Sequence, residues 1–227
     1  MTLSVDLAPS TGARAMPARC RICAGQLSRS FALCYCCDTL VGQLQMPLVP
    51  VVAMVEYRLG DPLHHRLRGY KDAPVAEVRD RYRDELVTMA TRWLHQHHGQ
   101  LGRRFGSGWD VVATVPSSRR PGRAPADAIV TRVPVLGALH RPLLIRGRGC
   151  TDHLRADRLG FELAPGVDHR QLRTLRVLLV DDSVVTGARA QSAAASLRLG
   201  GAQVVGVLAL GRAVRPEGGG TPAGSRW

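Results

Sequence analysis

The sequence predicts an α/β domain in which helices cover both faces of a mainly parallel sheet. Short runs of valine and leucine, apolar on both faces, alternate along the chain with amphipathic segments of helical period. Strands of this composition are typical of parallel sheets buried between helices. The length of 227 residues suits one such domain with a small appendage, and a hydrophobic fraction of 45% suffices for its core. Ligands of such folds bind at the carboxyl ends of the strands, so we expect the functional site there.

Strands and helices alternate through the larger part of the chain. Runs rich in valine, leucine and isoleucine predict strands at residues 49–57, 109–115, 142–146, 175–180 and 203–210. Apolar residues at three- and four-residue spacing predict helices at residues 61–69, 75–97, 125–139 and 188–199. Pro134 weakens the third of these helices. We therefore assign residues 48–214 to the α/β domain.

The other segments differ in composition. Residues 1–16 and 215–227 are too poor in apolar residues to fold and are predicted to be disordered tails, whereas residues 17–45 form a turn-rich module with five of the six cysteines. The longest apolar run, residues 46–55, contains two prolines and is too short to span a membrane. The first nineteen residues lack the apolar core of a signal peptide. We expect a soluble cytoplasmic protein without membrane insertion.

The net charge of +13 comes almost entirely from arginine, because Lys71 is the single lysine among 31 lysines and arginines. Such a surface attracts polyanions, either a nucleic acid or a phosphorylated small molecule. A genome that favours arginine codons explains the excess equally well. Aromatic residues make up only 4% of the chain, and single-strand binding platforms need them for stacking. The charge therefore supports nucleic-acid contact only weakly.

A strand that runs into an acidic pair and a glycine loop is the most informative feature. Residues 177–187 read VLLVDDSVVTG, and a helical pattern follows from Ala188. Backbone N–H groups at a helix start converge on one point, where the helix dipole favours an anion. The hydroxyls of Ser183 and Thr186 can add donors, and Gly187 lets the backbone approach a ligand closely. We predict a phosphate site in this loop.

The acidic pair needs a separate explanation. Neighbouring carboxylates at the end of a buried strand repel each other and would destabilise a purely structural turn. Capping of the following helix explains one such residue but not both. Asp181 and Asp182 are explained together if they accept hydrogen bonds from a diol or face a cation.

An apolar run followed by Asp-Asp, three further residues and Thr-Gly resembles the 5-phosphoribosyl-diphosphate signature of type I phosphoribosyltransferases. The resemblance implies their fold, and it implies that Asp181 and Asp182 hold the ribose 2′- and 3′-hydroxyls. The residues that it implies around the 5′-phosphate are Ser183, Val184, Val185, Thr186 and Gly187. Such a site also needs Mg²⁺ and donors for the pyrophosphate.

Basic residues elsewhere are candidates for the pyrophosphate. The strand predicted at 109–115 leads into a Pro/Ser/Gly loop that carries Arg119 and Arg120, whose guanidinium forks match phosphate oxygens in pairs. An ordinary solvated loop can have the same composition. Lys71 offers a compact ammonium that an arginine fork does not replace. A polar connection as long as residues 147–172 is usually functional or disordered. In the fold that the resemblance implies, it would cover the second substrate, a nucleobase acceptor.

The cysteine module has the spacing of a zinc site. Cys20, Cys23, Cys34 and Cys37 follow the pattern C-x₂-C-x₁₀-C-x₂-C, which suits tetrahedral Zn²⁺. Cys36 lies between the last two and leaves the choice between Cys34 and Cys36 open. A module of this size buries little core, so we expect the metal to order it.

Taken together, the cysteine knuckle, the segment around Lys71 and the Asp-Asp…Thr-Gly loop resemble the ComF family over about residues 17–212. The resemblance implies a phosphoribosyltransferase-like protein associated with DNA uptake in competent bacteria. Two functions follow as hypotheses. The chain is an enzyme that transfers a phosphoribosyl group to a nitrogenous base, or it is a non-catalytic accessory that binds DNA or the competence machinery and keeps the phosphoribosyl site as a relic or sensor.

Overall fold

The computed structural model describes residues 19–25, 27, 31–106, 108–117 and 124–214. The helices are α1 (Tyr35–Leu44), α2 (Pro62–Asp72), α3 (Ala76–Phe105), α4 (Asp127–Val130), α5 (Pro134–Gly137), α6 (His169–Leu172) and α7 (Ala188–Leu199). The strands are β1 (Val51–Tyr57), β2 (Val111–Thr114), β3 (Leu144–Arg146), β4 (Phe161–Leu163), β5 (Arg176–Val184) and β6 (Gln203–Ala213). The tails predicted at residues 1–16 and 215–227 lie outside the described residues.

The main sheet has four strands in the order β1-β6-β5-β2, and every pair of neighbours is parallel. Its two central strands, β5 and β6, are buried along most of their length. Strands flanked by others in a parallel sheet need helices on both faces, which accounts for the apolar runs in their sequences. The predicted α/β class with a mainly parallel sheet is confirmed.

A buried core lies on each face of the sheet. One core joins the sheet to α2 and α3 through side chains such as Leu67, Leu86 and Leu178. The other joins it to α7 and to the β3–β4 pair through Leu179 and Leu197. Leu178 and Leu179 are both fully buried, because successive side chains of a strand point to opposite faces.

Three predicted elements differ from the structure. Strand β3 does not join the main sheet but pairs antiparallel with β4, a strand that the sequence analysis did not predict and that lies inside the long polar connection at residues 147–172. The helix predicted at residues 125–139 is two short helices, with Pro134 at the start of the second. The helix predicted to end at residue 97 continues to Phe105. Within the described ranges, no helix combines the length and the apolar character needed to cross a membrane.

The cysteine module contains helix α1, which the sequence analysis did not predict. Its buried Leu40 and Leu44 pack against Ala188 and Ala195 of α7. The backbone N–H of Val51 also donates to the carbonyl of Ile22 at 2.8 Å. The module therefore contacts the sheet and the helix that begins at the predicted phosphate loop.

Candidate functional site

A cavity of about 580 Å³, lined by both polar and apolar residues, lies at the carboxyl edge of the main sheet. The ends of β1, β5 and β6 supply Tyr57, Asp181 and Ala213 to its wall, and Val115 follows the end of β2. Parallel strands bring all of their carboxyl ends to one edge, so residues far apart in the sequence meet there. The cavity lies where the fold class predicts a ligand site.

The acidic pair is part of strand β5 rather than of the loop that follows. Ladder pairing with β6 continues past it, with Asp181 opposite Ala209 and Ser183 opposite Gly211. Both carboxyl side chains line the cavity, although the residues are only 4% and 5% exposed. The ladder fixes the backbone that carries the two carboxyl side chains at the base of the cavity.

The two carboxyl groups differ in their electrostatics. Burial raises the pKa of Asp181 to about 6, although the nearby guanidinium of Arg189 opposes the rise. Burial alone would also raise the pKa of Asp182, but the ammonium of Lys71 and hydrogen bonds from Lys71 and Tyr70 hold that pKa below its ordinary value. At neutral pH both groups are ionised, and Asp181 is the easier of the two to protonate.

Two consecutive residues of α2 contact Asp182. The Tyr70 hydroxyl donates to Oδ2 of Asp182, and the Lys71 ammonium forms an ion pair with the same oxygen. The sequence analysis placed Lys71 at the pyrophosphate, and in the structure Lys71 lines the cavity while paired with Asp182. It missed Tyr70, whose position next to Lys71 was the only available signal.

The predicted phosphate loop turns between β5 and α7. Gly187 has a φ of 89°, in the left-handed region that favours glycine, and it immediately precedes the first turn of α7. The Thr186 hydroxyl donates to the carbonyl of His153 and accepts from the N–H of Ala188, the latter at 3.2 Å. Besides Gly187 and Thr186, the cavity wall includes Ser183, Val184 and Val185. All five residues predicted for this loop are thus brought to one cavity.

Arg189 is a further cavity residue that the sequence analysis missed. It lies in the first turn of α7, and its guanidinium donates to the carbonyl of Pro116 at 2.6 Å. Its Nε is buried and lacks a hydrogen-bond partner among the described residues. In a chain with so many arginines, no local pattern marks this one. Arg119 and Arg120, predicted for the pyrophosphate, lie outside the described residues.

The four predicted cysteines form one cluster. The thiol sulfurs of Cys20, Cys23, Cys34 and Cys37 all lie within 4.8 Å of one another, so they could hold a metal ion. Cys23 and Cys34 are 3.6 Å apart, Sγ to Sγ. The structure thereby favours Cys34 over Cys36, the choice that the spacing left open.

The thiols of the cluster do not ionise independently. Hydrogen bonding with the Cys23 and Cys37 thiols lowers the pKa of Cys34, whereas hydrogen bonding with the Cys23 and Cys34 thiols raises the pKa of Cys37. The thiolate of Cys34 is stabilised by hydrogen bonds with the protonated thiols of Cys23 and Cys37. A bound cation would allow the other thiols to ionise as well, since thiolates are the form that binds metal.

Two comparisons with known proteins found no match for this chain. No protein-family model matches it. No curated protein matches it either.

Proposed function

We propose that this chain binds 5-phosphoribosyl diphosphate with Mg²⁺ and transfers its phosphoribosyl group to a nitrogenous acceptor, as a type I phosphoribosyltransferase of the ComF kind. The proposal rests on one observation. The buried acidic pair Asp181 and Asp182 lines the same cavity as the glycine loop at the start of α7. The pair suits a diol and the loop suits a phosphate. A ribose 5-phosphate group contains both.

The ribose would lie over the end of β5. Its 2′- and 3′-hydroxyls would donate to Asp181 and Asp182, and hydrogen bonds to charged groups are worth about 1.5–3 kcal/mol each. Because the ladder with β6 fixes the backbone on both sides of the pair, the main chain needs little reorganisation when the ligand binds. The negative charge of the pair would also lie close to C1, where positive charge develops as the pyrophosphate departs.

The 5′-phosphate would lie in the loop between β5 and α7. Backbone N–H groups near Gly187 and the start of the twelve-residue helix α7 favour an anion at this point. The positive φ of Gly187 supports this turn, and a Cβ added at this position would meet no protein atom within 4 Å. The loop therefore leaves room for a phosphate beside its backbone.

The pyrophosphate would be bound by Mg²⁺ and by the basic residues that the sequence analysis assigned to it, Lys71, Arg119 and Arg120. Mg²⁺ commonly binds through substrate phosphate oxygens and neutralises the charge of the leaving group. Asp181 and Asp182 already face the cations of Arg189 and Lys71. We therefore expect the metal to enter with the diphosphate.

The four-cysteine cluster is proposed to hold Zn²⁺. Four thiolates without an open position are typical of structural zinc sites, which order small modules. The cluster lies in the module that contacts both β1 and α7, so the metal would stabilise the support of the phosphate loop. It has no role in the transfer itself.

The alternative is a non-catalytic accessory protein for DNA uptake. The net charge of +13 favours contact with DNA, and the zinc module could serve as its docking surface. In this case the phosphoribosyl site would be a relic or a sensor.

The experiment that separates the two functions measures pyrophosphate release. The protein is incubated with phosphoribosyl diphosphate, Mg²⁺ and a panel of nucleobases, and the Asp181→Asn, Asp182→Asn double variant serves as the control. We expect the wild type to release pyrophosphate and the double variant to release none. DNA should bind equally well to the two proteins. Tight DNA binding by a wild type that ignores phosphoribosyl diphosphate would refute the enzyme.

A further inference from the structure

The last turn of α2 is anchored to the acidic pair at one atom. Tyr70, which is only 4% exposed, donates its hydroxyl to Oδ2 of Asp182, and Lys71 pairs with the same oxygen. These two residues are 112 and 111 positions away from Asp182 in the sequence. An ammonium and a hydroxyl on a single carboxylate oxygen stabilise its ionised form and restrict its rotation.

Close packing between α2 and α3 holds this anchor in place. At Gly69, an added Cβ would come within 2.4 Å of the Tyr82 ring, so the two helices approach closely because position 69 has no side chain. Leu67 and Tyr70 are also buried in the core between α2 and the sheet. The last turn of α2 is therefore fixed against both α3 and the end of β5.

We propose that Tyr70 and Lys71 are positioning residues for the ribose side of the site. They hold Asp182 ionised and oriented through Oδ2, so that Oδ1 can accept a hydrogen bond from the ribose diol. This inference rests on the proposed function and deepens it. It also moves the main effect of Lys71 from the pyrophosphate to Asp182, because the ammonium is paired with that carboxylate.

Two ligands distinguish positioning at the ribose from binding at the pyrophosphate. Phosphoribosyl diphosphate contains the diol, whereas inorganic pyrophosphate lacks it. Calorimetry with each ligand in Mg²⁺ would be carried out on Tyr70→Phe and Lys71→Met. We expect each variant to lose about tenfold in affinity for phosphoribosyl diphosphate, the lower limit of one charge-assisted hydrogen bond, and less than twofold for pyrophosphate.

Matched controls remove a tyrosine hydroxyl and a cationic side chain elsewhere on the two helices. Tyr82→Phe removes a tyrosine hydroxyl on α3, and Arg66→Met removes a cation of α2 that pairs with Glu85. Both should bind both ligands as the wild type does. Circular dichroism of all the variants would show that they remain folded. Tyr70→Phe keeps the buried ring, so it provides the test even if Lys71→Met folds poorly.

A double-mutant cycle gives the decisive readout. If Tyr70 acts through Asp182, Tyr70→Phe should weaken phosphoribosyl diphosphate binding no further in an Asp182→Asn background. Additive losses, or equal losses for the two ligands, would overturn the positioning role. If Tyr70→Phe bound phosphoribosyl diphosphate as tightly as the wild type does, the positioning role would be overturned and the proposed function would stand. A wild type that does not bind phosphoribosyl diphosphate would overturn the proposed function together with it.

Discussion

Replacement of Lys71 by methionine should destabilise the protein in a pH-dependent way. Methionine keeps much of the apolar stem of lysine but leaves the carboxylate of Asp182, itself 6% exposed in its side chain, without its ammonium. Burial raises the pKa of Asp181, its neighbour on β5, from 3.8 to about 6, even though the charges of Arg189 and Lys71 oppose the rise. We expect the pKa of Asp182 to rise in the variant, against the remaining effects of the Tyr70 hydroxyl and of Arg189.

The size of the effect follows from this comparison. Each tenfold change in proton affinity is worth about 1.4 kcal/mol, so a carboxyl whose pKa rises from its ordinary value to that of Asp181 costs about 3 kcal/mol at pH 7. This figure agrees with the lower end of the roughly 3–5 kcal/mol lost when one partner of a buried ion pair is removed. The lower end is expected because the Lys71 side chain is 24% exposed.

The pH dependence has a defined sign. In the wild type the pKa of Asp182 is lowered, so its ion pair stabilises the fold above pH 3.8 and this contribution is lost as the pH falls through the folded-state value. In Lys71→Met the raised pKa has the opposite consequence, because the unfolded chain releases the proton first as the pH rises. The deficit of the variant relative to the wild type should therefore be at least about 3 kcal/mol at pH 7, and it should be smaller by about 1.4 kcal/mol at pH 5.

Urea unfolding at pH 7 and pH 5, followed by circular dichroism, measures both values. Arg66→Met is the matched control, since its ion pair with Glu85 is 38% exposed on each side and should contribute less than about 1 kcal/mol at either pH. An equal loss of stability in Lys71→Met at the two pH values would contradict the role of Lys71 in holding Asp182 ionised. So would a deficit no larger than that of Arg66→Met.

Four further predictions concern ligands and metal. Since the pKa of Asp181 is about 6, the advantage of the wild type over Asp181→Asn in phosphoribosyl diphosphate binding should fall by about tenfold between pH 7 and pH 5. A constant ratio of the two affinities in calorimetry would contradict this, and the titration of the ligand cancels in the ratio. Metal analysis should find one zinc per chain, which Cys23→Ser loses and Cys36→Ser keeps; metal-free protein with freely titratable thiols would refute the site. Gly187→Val should weaken the binding of phosphoribosyl diphosphate and of inorganic phosphate by at least tenfold each, because valine is strained at a φ of 89°. Asp182→Asn should mainly weaken the binding of phosphoribosyl diphosphate. If calorimetry showed the same losses of affinity for the two variants, the two roles would be contradicted. DNA binding should fall steeply with salt and phosphoribosyl diphosphate binding should not, as titrations at several salt concentrations would show; similar slopes would argue against fixed donors for the small ligand.

Features that depend on residues close together in the chain could be predicted from the sequence. Runs of valine and leucine marked the strands of the main sheet, since burial on both faces leaves a continuous apolar signal. The order of strand, acidic pair, glycine and helix around residues 177–188 marked the loop that lines the cavity. The spacing of Cys20, Cys23, Cys34 and Cys37 marked the thiol cluster, because a tight turn brings two cysteines together within a few residues.

Contacts between residues far apart in the chain could be identified only from the tertiary structure. Tyr70 and Lys71 reach Asp182 because α2 packs beside the end of β5, and no local pattern records a contact across more than a hundred residues. Arg189 is one of many arginines, and its contact with Pro116 depends on the parallel pairing of β2 and β5. The choice of Cys34 over Cys36 likewise depends on where the chain returns after a ten-residue loop. Side-chain periodicity reports burial along one element, whereas these contacts arise from the packing of several elements at one edge of the sheet.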